Sequence, residues 1–240
     1  MREITQEEIK AKLEAHKLWL DTGGEHGEKV RFTDVLIANK NFTFRNLHGA
    51  VFENVECVST DFERANLFFT RFKNVHFHHV NFTDTRLTYS KFIHCSITDT
   101  TYPFADLKNV DFTCTTLDNV NFTYSNLYKV DFSAAIIKNI HVARAIPINI
   151  VGQKVICTQV NTSRKNNLIS YWADLGIWTT GCFQGTLEEL REKVAATHKN
   201  NPFLRARYER AIDYILEEDK ADKEKRERSG ANADHKENKR

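Results

Sequence analysis

The residues that could do chemistry are histidines and cysteines. His76, His78 and His79 stand close together, and His94 follows. Imidazole pairs are common zinc ligands. His76 and His78, however, flank Phe77, and no carboxylate or cysteine clearly completes a ligand set. The pattern predicts solvated surface histidines and no bound metal. Cys182 is the one candidate nucleophile. It sits in an apolar stretch with Tyr171, Trp172, Trp178 and Phe183, and no base stands at a recognisable spacing. Apolar surroundings keep a thiol protonated, so a buried structural thiol is expected. The five cysteines, Cys57, Cys95, Cys114, Cys157 and Cys182, form no CxxC pair and are odd in number. That favours reduced thiols in a cytosol over a disulfide framework. The sequence holds no Gly-rich phosphate loop, no HExxH and no nucleophile elbow. It therefore names no catalytic residue and no cofactor site, and the chain is expected not to be an enzyme.

The elements that would position any site come from an internal repeat. Seventeen phenylalanines against one methionine already signal a biased, repetitive chain. From Phe32 to Val142 an apolar residue falls at every fifth position, through 23 pentads without an insertion. Two residues before each centre lies a small or β-branched residue, as in Val30, Ala50, Val75 and Ile140; Lys40 and Arg45 break this second series. A period of five fits neither a helix nor a flat strand. It requires a chain that turns a corner at each repeat and sends the same two side chains inward. Stacked coils would then bury columns of identical residues, with backbone hydrogen bonds running between coils at about 4.8 Å.

The pattern Ala-(Asp/Asn)-Leu, present as Ala65-Asn66-Leu67, Ala105-Asp106-Leu107 and, with serine first, Ser125-Asn126-Leu127, resembles the pentapeptide-repeat family. The resemblance covers residues 30–144 and implies a mainly β fold, a right-handed quadrilateral β-helix of four pentads per coil. At that period one face stacks Phe32, Phe52, Phe72, Phe92, Phe112 and Phe132, here face a. Face b is mixed. Face c stacks Phe42, Phe62, Phe82, Tyr102, Phe122 and Val142, and face d stacks Leu47, Leu67, Leu87, Leu107 and Leu127. Nearly six coils at that spacing give a rod roughly 28 Å long.

The flanks read differently. Residues 1–29 predict an N-terminal capping helix and linker: Thr5-Gln6-Glu7-Glu8 is a capping box, and Gly23, Gly24 and Gly27 end the helix. A solenoid needs such a cover over its open first coil. Its stretch His16-Lys17-Leu18-Trp19-Leu20 is similar to a helix in pentapeptide proteins of tailed bacteriophages. Residues 30–146 form the solenoid. Residues 147–216 predict a small α+β module, with a second capping box at Thr186-Leu187-Glu188-Glu189 and a last helix from Pro202. The stretch Gly181-Cys182 leading to Thr186 resembles a small phage domain in which a Gly-Cys pair precedes a Thr-led helix. Residues 217–240 are charged and polar and predict a disordered tail. Mean hydropathy is −0.51, no apolar run reaches the length of a membrane span, and the first residues lack a signal-peptide core, so a soluble cytoplasmic protein is expected.

What remains is the exterior. Family members that bind DNA gyrase do so as acidic rods resembling duplex DNA. Residues 31–144 here carry 12 Lys or Arg against 11 Asp or Glu, which lacks the dense negative field of such a mimic. Direct nucleic-acid binding is likewise not expected. Aromatics are asymmetric instead: Phe44, Phe68, Phe69, Tyr89, Phe104, Tyr124 and Tyr128 take outward positions on faces c and d, and faces a and b have none. Such a stripe must be covered, by the C-terminal module with Trp172 or Trp178, or by a partner protein. The expected function is a non-enzymatic, phage-type binding scaffold that occludes a host protein, such as gyrase or a component of antiphage defence. The alternative is an assembly protein that forms homo-oligomers through its C-terminal module.

Overall fold

A computed structural model describes residues 1–160 and 167–237. The chain falls into two compact units, Met1–Gln153 and Lys154–Arg240. No described helix is long and apolar enough to cross a membrane.

The first unit opens with β1 (Arg2–Glu3) and α1 (Gln6–Asp21). The Thr5 hydroxyl accepts from the Glu8 backbone N–H while the Glu8 carboxylate accepts from the Thr5 N–H, so two otherwise unpaired donors are satisfied. Gly27 then lets the chain pass back against the helix: its φ is 75°, and a Cβ there would lie 2.2 Å from the Ala15 carbonyl oxygen. Ile9 and His16 are buried, and the Val30 N–H donates to His16 Nδ1 at 3.2 Å. This pins α1 to the start of the first coil.

Strands β2 (Arg31–Thr33), β3 (Val35–Ala38), β4 (Val51–Val58), β5 (Arg71–His78), β6 (Lys91–Ile93), β7 (Ser96–Thr98), β8 (Thr116–Asp118) and β9 (Ile136–Lys138) pair in parallel. The register is Phe32↔Phe52↔Phe72↔Phe92 on face a and Ile97↔Leu117↔Ile137 on face b, so each coil takes 20 residues. Isolated bridges carry the same step on faces c and d, and extend it to Asp131↔Val151, beyond Ile146. The backbone turns into the left-handed region at every fifth residue from Asp34 to Asn149, which makes the coil four-sided. Rings stack at 4.5–5.5 Å along face a and 4.7–5.2 Å along face c. Leu47, Leu67, Leu87, Leu107 and Leu127 are fully buried. The core is therefore a set of dry columns, each aromatic pair adding about 0.5–1.5 kcal/mol beyond burial.

Two polar devices explain the remaining repeat positions. The residue before the centre is often Asn or Asp because its side-chain oxygen accepts from the backbone N–H two residues on, as in Asn41 to Thr43, Asp61 to Glu63, Asn81 to Thr83 and Asn121 to Thr123. Inward threonines donate to carbonyls of the previous coil, as Thr60 does to Ile37 and Thr85 to Phe62, both at 3.0 Å. They are buried yet satisfied. Lys40, at a nominally inward position, is half-buried and reaches Glu3 of β1 at 2.7 Å; Arg45 turns outward and is exposed.

The second unit is an antiparallel sheet of β10 (Val155–Val160), β11 (Asn167–Trp172), β12 (Ile177–Thr180) and β13 (Phe183–Gly185), with α2 (Leu187–Thr197) and α3 (Pro202–Glu237). Its core holds Val160, Ile169, Trp178, Leu190, Val194, Tyr208, Ile212 and Ile215. Trp178, a candidate cover for the aromatic stripe, thus fills its own module. The helix α3 runs on to Glu237, into the segment 217–240 whose composition predicts disorder; residues 238–240 lie outside the described residues. Asp219 is buried, with Lys154 on it at 2.8 Å and Lys223 at 2.8 Å. That ion pair and i,i+4 pairs such as Lys220–Glu224 support a helix with little apolar surface.

Candidate functional site

The corners are where the exterior is written. Each corner residue has φ between 46° and 69°. That conformation suits Gly, Asn and Asp and is unfavourable for bulky side chains. On faces a and b seven of the twelve corners are Asn or Asp. The face a column begins Asp34, Asn54, Asn74, and the Asn amides donate down it at 2.9 and 3.1 Å. On face b, Asn119 donates to Asp99 at 2.6 Å.

On faces c and d only four of the twelve, Gly49, Asp84, Asn109 and Asn149, are Gly, Asp or Asn. Five corners there carry aromatics: Phe44, Phe69, Tyr89, Phe104 and Tyr124, with φ of 56–63°. All five are exposed, from 41% for Tyr124 to 67% for Phe44. They buy the core nothing. The face c corner column reads Phe44, Arg64, Asp84, Phe104, Tyr124, Arg144. Arg64 lies over the Phe44 ring at 5.4 Å and bonds Asp84 at 3.1 Å; Phe104 stacks on Tyr124 at 4.7 Å, and Arg144 covers Tyr124 at 4.9 Å. On face d, Phe69 stacks on Tyr89 at 5.2 Å, and half-buried Phe68 meets Phe69 edge-on at 4.5 Å with His48 stacked on its other side at 5.5 Å. Tyr128 is half-buried beneath Lys129. The sequence-predicted aromatics therefore group into two ladders on adjoining faces, in an order that only the twenty-residue step reveals. Sequence reading missed Arg64, Arg144 and His48, which complete them.

Beside Phe44, a groove of about 490 Å³ runs between α1 and the first coil, lined by Leu13, Leu20, Phe44 and Arg45 among others. Leu13 and Leu20 are half-buried on its wall. Three carboxylates of the rod meet a cation of the adjacent coil, Glu53 with Lys73 at 2.8 Å, Asp84 with Arg64 at 3.1 Å and Asp111 with Lys91 at 3.7 Å; the Lys73 hydrogen bond holds Glu53 below its ordinary range.

Two sequence expectations need correction. Cys182 is exposed, because it lies in the turn between β12 and β13, where side chains stand clear of the sheet. Burial instead raises the thiols of Cys57 and of Cys95, the latter to about 12. The histidines of face b do acquire a carboxylate: Asp99, one coil beyond His79, joins His78 and His79. His76 and His94 stand outside that group.

Comparison with known proteins bears on the fold. The family of pentapeptide repeats matches in 8 copies over residues 46–84, 60–99 and 104–139. No curated protein matches the chain. Among solved structures, a trypsin-treated form of QnrB1, a plasmid-mediated fluoroquinolone resistance protein, is 15% identical at a TM-score of 0.34; the match covers 51% of this chain and 65% of that one, just under two thirds of its length. A pentapeptide repeat protein, Rfr23, from the cyanobacterium Cyanothece 51142 is 13% identical at 0.28, covering 51% and 88%. One from the thylakoid lumen of Arabidopsis thaliana is 13% identical at 0.20, covering 52% and 73%. The twenty-residue register and the four corners per coil fall on the same residues that the family model of pentapeptide repeats matches, within residues 46–139 of the solenoid.

Proposed function

We propose that the chain is a non-enzymatic scaffold that binds a partner protein on faces c and d and acts by occluding the surface it covers. The observation that carries this is the placement of five exposed aromatics at corners where the backbone favours Asn, Asp or Gly. Their strain is unrelieved by burial, and such sites are where function is expected. Tyr and Arg are among the residues enriched in protein-binding hot spots, and Phe is enriched at interfaces. A rod already rigid through its core columns loses little freedom on docking, so the entropic cost of association stays low. The phage-like flanking segments motivate a host target, a DNA-acting enzyme such as gyrase or a component of antiphage defence. The paired carboxylates of the rod support recognition by aromatic contact over mimicry of DNA.

The test is capture from host lysate by the full chain and by a Phe69→Asp, Tyr89→Asp double variant, read by mass spectrometry. A protein retained by the parent and lost by the variant supports the reading; equal recovery by both overturns it. A supercoiling assay with gyrase tests that target directly.

A second reading rests on α3. Phe203 and Tyr214 are 63% and 48% exposed and eleven residues apart, which places them on one helix face. They suit self-association through the C-terminal module. Light scattering across a concentration series checks this, and a monomer at every concentration excludes it.

A further inference from the structure

We propose that His78, His79 and Asp99 on face b bind a divalent transition-metal ion of the zinc class. Each offers one ligand atom, and the three atoms lie within 4.8 Å of one another. A zinc ion held tetrahedrally by bonds of about 2.0–2.1 Å needs its ligand atoms roughly 3.3–3.5 Å apart. His78 Nδ1 and Asp99 Oδ2 are already 3.5 Å apart, and the two imidazole centroids are 3.9 Å apart. His78 Nδ1 also lies 3.0 Å from Thr98 Oγ1, a bond that the ion would replace.

The backbone explains the convergence. Neighbouring residues on a strand point to opposite faces, so adjacent histidines normally diverge. His79 instead occupies a corner with φ 54°, which swings its ring to the side of His78 at the end of β5. Asp99 occupies the same corner one coil on, with φ 49°, because the register steps by 20 residues. The ligands thus come from two coils locked by parallel pairing, and little must be ordered when the ion binds. Asn119 donates to Asp99 Oδ1 at 2.6 Å and leaves Oδ2 to face His78. Such outer bonds orient a ligating carboxylate. Two imidazoles and one carboxylate favour zinc, cobalt, nickel or copper over magnesium or calcium. Three protein ligands leave a position open to water or to an incoming side chain. The ion would tie adjacent coils together through residues that belong to neither aromatic ladder, so this site does not rest on the proposed docking function.

The experiment uses untagged, chelator-stripped full chain in a reducing buffer at about pH 7.5. Zinc is titrated by calorimetry, and cobalt by its visible absorption. One equivalent should bind with micromolar affinity. His79→Asn, which keeps a residue suited to the corner, and Asp99→Asn should each weaken binding by about tenfold or more. His94→Ala and a Cys114→Ser, Cys182→Ser double variant should bind like the parent. Circular dichroism verifies that every variant is folded. Binding weaker than millimolar, equal binding by His79→Asn and Asp99→Asn, or loss of binding in the cysteine variant would each overturn the assignment.

Discussion

Faces a and b and faces c and d share one backbone and spend it differently. All four sides turn through a left-handed corner at the same point of each pentad. On face a the first corners are Asp34, Asn54 and Asn74, residues that suit the conformation and hydrogen-bond along the column. On faces c and d the same corners hold Phe44, Phe69, Tyr89, Phe104 and Tyr124, exposed and poorly suited to it. The core does not explain the difference, since inward columns are dry on every side. The contrast separates what the fold asks of a corner from what the surface is used for.

The comparison breaks first if inside and outside are not distinct. Phe72 stacks on Phe52 and Phe92 and is fully buried. Phe72→Ala should cost about 3–5 kcal/mol in urea unfolding, while Phe69→Ala should stay within about 0.5 kcal/mol. Similar costs for the two would remove the division. Next in size is partner binding. With a captured partner in hand, Phe69→Asp with Tyr89→Asp should weaken affinity by about a hundredfold, the scale of a lost hot spot. Asn74→Asp, at a corner of face a, should leave affinity unchanged in the same surface-binding measurement.

A smaller effect sharpens the corner argument itself. A bulky residue in the left-handed region costs roughly 1–2 kcal/mol. Tyr89→Asn removes that cost and loses one exposed stack with Phe69, so a gain of about 0.5 kcal/mol is expected. Asn74→Tyr imposes the cost and breaks the bond to Asn54, so a loss of about 1 kcal/mol is expected. Unfolding midpoints should therefore move in opposite directions for two substitutions at equivalent backbone positions.

The columns were legible in the sequence because a five-residue period leaves a mark at every repeat. Phe32 to Phe132 and Leu47 to Leu127 stand out at fifth places, and the family resemblance sorts them into columns twenty residues apart. The aromatics of faces c and d were legible for the same reason. The partners that complete them were not: Arg64 joins Phe44 and Asp84 only across coils, and Asp99 joins His79 only at twenty residues' distance. A search at that step among corner positions would have found both. Cys182 misled because local apolar composition says nothing of a turn. The end of α3 misled because Asp219, charged in the sequence, is a buried anchor for Lys154, sixty-five residues away.

The smallest expected effect lies where α1 meets the rod. Burial first, then the charges of His48 and Lys29, lowers the pKa of His16 below its ordinary value. Its Nδ1 accepts from the Val30 N–H, a bond that needs the neutral ring. Because the folded value is depressed, the unfolded chain takes up the proton more readily. The contribution of His16 to stability is thus fully present above about pH 6.5 and is lost as pH falls from there through the folded value. His16→Gln should unfold at a midpoint less sensitive to acid over that interval than the parent does. His94→Gln, at an exposed corner of face a, should follow the parent. An equal acid response in all three proteins would mean that the cap is not held through a neutral imidazole, and that the end of the rod bearing Phe44 is closed by other contacts.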